Sequence, residues 1–121
     1  MSMDVNGMQE LMNRLKTMGT IGERIEEKAL KAGAEILQRE MERRAPRSTF
    51  NKRHLAESII LSEVVKGNID VGPHKDFFYT RFLEYGTVNM DAQPFIEPAF
   101  LAVRNRIKQV MADVIRRELS L

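Results

Sequence analysis

Apolar side chains recur at helical spacing in three stretches of this chain and at strand spacing in one. Met8, Leu11, Met12, Leu15 and Met18 fall at i, i+3, i+4, i+7 and i+10. That spacing predicts a short amphipathic helix over residues 4–18, with Asp4 or Asn6 placed to cap it and Gly19 to end it. A helix of this length is not stable alone, so its Met/Leu face must dock on the chain's own core or on a neighbouring subunit. A long helix is predicted over 20–44, opened by a Thr20/Glu23 capping box and stopped by Pro46. Ile21, Ile25, Ala29, Ala32 and Ile36 trace its stripe, and Glu27–Lys31 and Glu35–Arg39 stand in the favourable i,i+4 order. Its small residues Ala29, Ala32, Gly33 and Ala34 permit close approach by a partner element. The closing helix starts at Pro98 near its first position and runs to about Leu119, with Phe100, Val103, Ile107, Val110, Met111 and Val114 as its apolar side.

The period changes between these helices. Over residues 57–72 a β-branched run turns at Lys66-Gly67-Asn68 and returns through Ile69 and Val71, which predicts a β-hairpin with room for a bulge at Glu63–Val65. The aromatic stretch that follows is ambiguous. Tyr79, Phe82 and Leu83 fit a helical turn, whereas Phe78, Thr80 and Phe82 fit a strand; the expectation taken is one or two helical turns ending at Tyr85-Gly86, then a polar loop over 88–93. Together these elements predict an α+β domain: a small antiparallel sheet packed by a long central helix and a C-terminal helix, with a short N-terminal helix. A length of 121 residues fits one domain, 1–121.

Composition narrows the function classes. The chain is 43% hydrophobic and 30% charged, a globular balance, and no apolar run is long enough to span a membrane. It contains no cysteine, so no disulfide framework is expected and the default compartment is the cytoplasm. Eight methionines read as adaptable core filler. The net charge of +2 is too small to indicate nucleic acid by itself, but residues 43–54 hold Arg43, Arg44, Arg47, Lys52 and Arg53 with no acid among them. That segment reads as a mobile basic loop over 46–54. It is either an arm for DNA phosphates or an acidic protein surface, or, the plainer reading, a solvated loop whose first arginines complement a helix C-terminus.

Residues that could carry chemistry are sparse. His54 and His74 have no second ligand at metal spacing, so no metal or other cofactor is expected. No phosphate-binding glycine loop or nucleophile elbow is present. Glu84, set among aromatics, is the one acid in an unusual place. It is expected to be half-buried and to accept hydrogen bonds from the Gly86–Thr87 turn.

The string Phe82-Leu-Glu84-Tyr85-Gly86-Thr87, followed by Pro94-Phe95-Ile-Glu-Pro98-Ala-Phe, resembles the E-[FY]-G-T … P-F-x-x-P-A pattern of small structural proteins of tailed bacteriophages and prophages. These are the neck, tail-completion or head–tail joining proteins. Gly7, Glu10 and Leu11, the helix closing on Ala45-Pro46, Leu55, Ser58 and Ile59, and the Val71-Gly72 strand end agree in order. One departure is Ser48-Thr49-Phe50-Asn51, where those proteins usually carry Thr-Gly.

The resemblance implies a non-enzymatic virion component of the neck or tail, assembled in the host bacterial cytoplasm. It implies a ring-forming subunit whose partners are further copies of itself and the neighbouring head-completion and tail proteins, around an axis through which DNA passes. Subunit contacts are expected on the N-terminal helix (Met8, Met12), on the basic loop (Arg47, Lys52, Arg53, His54) and on the hairpin edge. Phe82, Glu84, Tyr85, Gly86, Thr87, Pro94, Phe95 and Pro98 are expected to fix the fold. The alternative is a small nucleic-acid-binding protein using residues 43–54.

Overall fold

The computed structural model describes residues 7–44, 59–72, 80–90 and 96–120. Along the chain these form α1 (Met8–Lys16), α2 (Thr20–Arg44), β1 (Ile60–Leu61), β2 (Asn68–Gly72), β3 (Thr80–Leu83), β4 (Thr87–Met90) and α3 (Ile96–Glu118). The strands make one antiparallel sheet in the order β1-β2-β3-β4, with helices packed on one face, so the predicted α+β class holds.

α1 buries Met8, Leu11, Met12 and Leu15, the face its spacing predicts, against the chain's own core. α2 begins at Thr20 itself, and the Glu23 N–H donates to the Gly19 carbonyl at 3.0 Å. Gly19 therefore occupies the capping place that the capping-box reading gave to Thr20. The buried side of α2 is wider than the predicted stripe: Ile25, Ala29, Leu30, Gly33, Ala34, Leu37 and Met41 face inward, while Ile21 is left exposed. The reason is that α2 is covered by two layers at once, the sheet and α3, so one 4-4-3-4 line of positions cannot fill its contact. Its expected Glu27–Lys31 and Glu35–Arg39 pairs do not form. The α2 carboxylate that is paired within the helix is Glu40, which meets Arg43 and Arg44.

α3 runs antiparallel to α2. Lys28 near the start of α2 pairs with Glu118 at the end of α3 (3.2 Å), and Gly33 lies against Met111. α3 starts at Ile96, so Pro98 stands exposed within the first turn, where its missing N–H is no loss.

The hairpin is present with its turn as predicted. Lys66 (φ 50°) and Gly67 (φ 76°) both take left-handed backbone, the type I′ geometry that matches strand twist, and Val65 and Asn68 exchange both backbone hydrogen bonds. Leu61 pairs with Val71 but Val65 with Asn68, so one extra residue is inserted at Glu63-Val64. This is the expected bulge.

The aromatic stretch departs from expectation. Thr80–Leu83 is a strand, not a helical turn, and Thr87–Met90 is an edge strand, not a loop. Pairing decides what the local period left open. β2 would otherwise present a bare row of donors and acceptors, and β3 satisfies it with Ile69 opposite Phe82 and Asp70 opposite Arg81. Ile69, Val71 and Phe82 point into the core with Leu61 and Val88 packed beside them, while Asp70 and Arg81 form a 3.2 Å ion pair on the outer face.

Candidate functional site

Four pieces of chain converge where the last turn of α1, the first turns of α2 and both hairpin turns meet. The β3–β4 connection is the three-residue loop Glu84-Tyr85-Gly86. It is closed by the Gly86 N–H donating to the Leu83 carbonyl at 2.9 Å, with Gly86 at φ 73°. Lys108 of α3 lays its stem over Gly86. The loop turns the Glu84 carboxylate back toward the helices, where Lys16 Nζ approaches it to 3.2 Å and also donates to the Tyr85 hydroxyl at 3.0 Å. Gly67 of the other hairpin turn abuts the same carboxylate so closely that a Cβ there would stand 2.6 Å from Oε2. Glu84 is half-buried, as its setting suggested, but Lys16, Glu26 and Tyr85 hold it, and the Gly86 N–H goes to Leu83.

Glu26 of α2 is the fourth member. It shares a hydrogen bond with Glu84, so the two carboxyls hold one proton between them. Burial, then the hydrogen bond and charge of Glu84, push Glu26 up to about 8. Glu84 stays below the ordinary carboxylate range because the hydrogen bonds from Glu26 and Lys16 outweigh its own burial. The Tyr85 and Glu84 hydrogen bonds push Lys16 up to about 12. In the folded protein Glu26 keeps a proton that the unfolded chain releases, so stability falls as pH rises from about 5 to about 8. Glu26→Gln, which keeps a donor and cannot ionise, is expected to flatten the Tm profile across that window; an unchanged slope by circular dichroism would refute the shared proton.

Chemically the arrangement is a clamp. Clefts of about 210 and about 280 Å³ flank it, lined by Glu23, Glu26 and Glu84 on both sides. Both are smaller than the usual few-hundred-Å³ small-molecule pocket and neither has an aromatic wall. A broader open depression of about 530 Å³ lies on the outer sheet face, lined by Ser62, Glu63, Val65, Lys66, Asn68, Asp70 and Arg81. Among the described residues no three of His, Cys, Asp and Glu gather as metal ligands do, and no helix is long and apolar enough to cross a membrane.

Of the residues singled out in the sequence, Phe82 is fully buried, Tyr85 and Thr87 are half-buried, and Glu84, Tyr85 and Gly86 share the turn just described. Met8 and Met12 are buried in the chain's own core at 3% and 0% exposure, so they are not a surface for a neighbour. Their spacing gave a dock but not its owner. Pro94, Phe95, Arg47, Lys52, Arg53 and His54 lie outside the described residues. Arg43 and Arg44 are engaged by Glu40, whose carboxyl they hold below its usual range. Sequence reasoning missed Lys16 and Glu26, since nothing along the chain sets them apart from other helix-surface charges.

The family model described as "Bacteriophage HK97-gp10, putative tail-component" matches residues 9–86, from the first turn of α1 to the glycine that closes the β3–β4 turn. Nothing among curated proteins or solved structures matches the chain.

Proposed function

This chain belongs to the HK97-gp10-like family of bacteriophage tail components, and from that premise we propose that it is a non-enzymatic structural subunit assembling as a ring at the head–tail junction. The carrying observation is that the family match runs through α1, α2 and three of the four strands, so the shared part is most of the framework short of β4 and α3, and not a short motif. The clamp supports a structural role. Its charged groups neutralise one another across three elements, and no Ser, Thr or Cys is among the residues lining the clefts beside it. Its place is the virion neck or tail, reached from the host cytoplasm where particles are built. Its partners are further copies and the adjoining head-completion and tail proteins, with DNA passing along the axis. The Glu84-Tyr85-Gly86-Thr87 turn and the Pro94–Pro98 segment serve this reading as the parts that fix the fold.

A phage lacking the chain is expected to yield filled heads and separate tails. Purified protein added to that lysate should restore joined particles, counted by electron microscopy. Joined, infectious particles formed without it would refute the proposal. The nucleic-acid reading loses ground at the same time, because two of the five cations in its basic segment are already paired to Glu40.

A further inference from the structure

Two flanks of the molecule each hold exposed charges without ion-pair partners, cationic on one and anionic on the other. β1 and β2 pack on α2 while β4 packs on α3, so the sheet crosses the helix pair from one side to the other. On the α3 side, the helix between Pro98 and Ala112 carries Arg104, Arg106 and Lys108 and no acid. None of the three has an ion-pair partner among the described residues. Lys108 lies against the Gly86 turn, Arg104 stands one turn before it and Leu101 about one turn earlier on the same flank. Leu101 is 53% exposed, a large aliphatic side chain left in water beside cations.

On the α2 side, Glu23, Glu26, Glu27 and Glu84 line the cleft against the β1–β2 turn, with Lys66 and Val64 on its wall. Glu23 and Glu27 have no cation partner among the described residues. Val65, next to Val64 and Lys66 in that turn, is 60% exposed.

We propose that the Leu101–Arg104–Lys108 flank of α3 docks a second copy of this chain through that copy's α2 flank, Glu23 and Glu27, beside its β1–β2 turn. The proposal rests on the ring reading above and supplies its contact. Within one chain no ion pair joins the two flanks among the described residues. In a row of copies each cationic flank meets an anionic one, and two different surfaces meeting in this way propagate head to tail, the geometry that closes into rings. Leu101 and Val65 give the contact apolar area, and guanidinium facing carboxylates gives it direction.

Sedimentation velocity up to about 1 mM protein at low salt tests it. Arg104→Glu and Glu27→Lys change exposed, unpartnered side chains, so circular dichroism should show both folded as the parent is. Each alone is expected to weaken self-association about tenfold or more. The double variant, with both signs exchanged, should regain a large part of it. Single variants that associate like the parent, or a double variant as weak as either single, would overturn the proposal. So would a parent chain that stays monomeric throughout the range. In each of these cases, recovery of joined particles in the lysate experiment would still uphold the neck role, which separates the two conclusions.

Discussion

Gly22→Ala is expected to destabilise the protein by about 3 kcal/mol or more, although helix propensity alone argues for the opposite sign. Gly22 is the third residue of α2, and an alanine in a helix ordinarily gains up to about 1 kcal/mol over glycine. Here a Cβ would be driven into the backbone carbonyl of Leu15, with the Met18 side chain also close. Backbone cannot swing aside as a side chain can. The clash has to be relieved by lifting α1 off α2, and α1 holds Met8, Leu11, Met12 and Leu15, all buried. A nine-residue helix has no stability of its own once undocked. Burying each of these side chains is worth about 1.5–3 kcal/mol, so loss of even part of the face outweighs the propensity gain. Urea denaturation reads the result as a lower midpoint, and amide exchange should show protection lost first in α1. A midpoint equal to or above the parent's would mean that α1 does not rest on Gly22.

That close approach was not legible in the sequence, whereas the helices it joins were. Met8 to Leu15 announce themselves, and Ile25 and Ala29 in α2, because a helix writes its burial into residues three and four apart, although Leu30, Leu37 and Met41 fell outside the expected stripe. The Lys66-Gly67 turn was equally plain, since Gly67 between two β-branched runs supplies the left-handed backbone a tight hairpin needs. What failed to show were features set by residues distant in the chain. Thr80–Leu83 became a strand because β2 needed a partner, and no local pattern around Phe82 could say so. The clamp draws Lys16, Glu26 and Glu84 from three elements; only Glu84 stood out beforehand, by its aromatic neighbours, and its partners are ordinary helix-surface charges until the fold is closed. The unformed Glu27–Lys31 pair carries the same lesson in reverse, for a favourable spacing on an exposed helix is worth only about 0.3–0.5 kcal/mol and is easily forgone.

Phe82→Ala is expected to cost about 3–5 kcal/mol, a large share of the roughly 5–15 kcal/mol that keeps a domain folded. Phe82 is fully buried, and it is the largest side chain that the sheet sends inward, between Ile69 of β2 and Val88 of β4. Its ring reaches the crossing of α2 and α3, where a Cβ on Gly33 would stand 3.0 Å from Cζ and 2.9 Å from the Met111 sulfur. Gly33 is therefore small because the ring and the thioether occupy the space a side chain would take. Removing the ring leaves a cavity at a point shared by the sheet and both long helices. Gly33→Ala in the parent is expected to cost about 1–3 kcal/mol through crowding. In the Phe82→Ala background the added methyl enters vacated space, with only the flexible Met111 left to move, so its penalty should shrink or change sign. The double-mutant cycle should therefore show a coupling of about 0.5–3 kcal/mol. Strictly additive losses in guanidinium denaturation would place Phe82 and Gly33 in separate parts of the core and break the account of how the sheet is fastened to the helix pair.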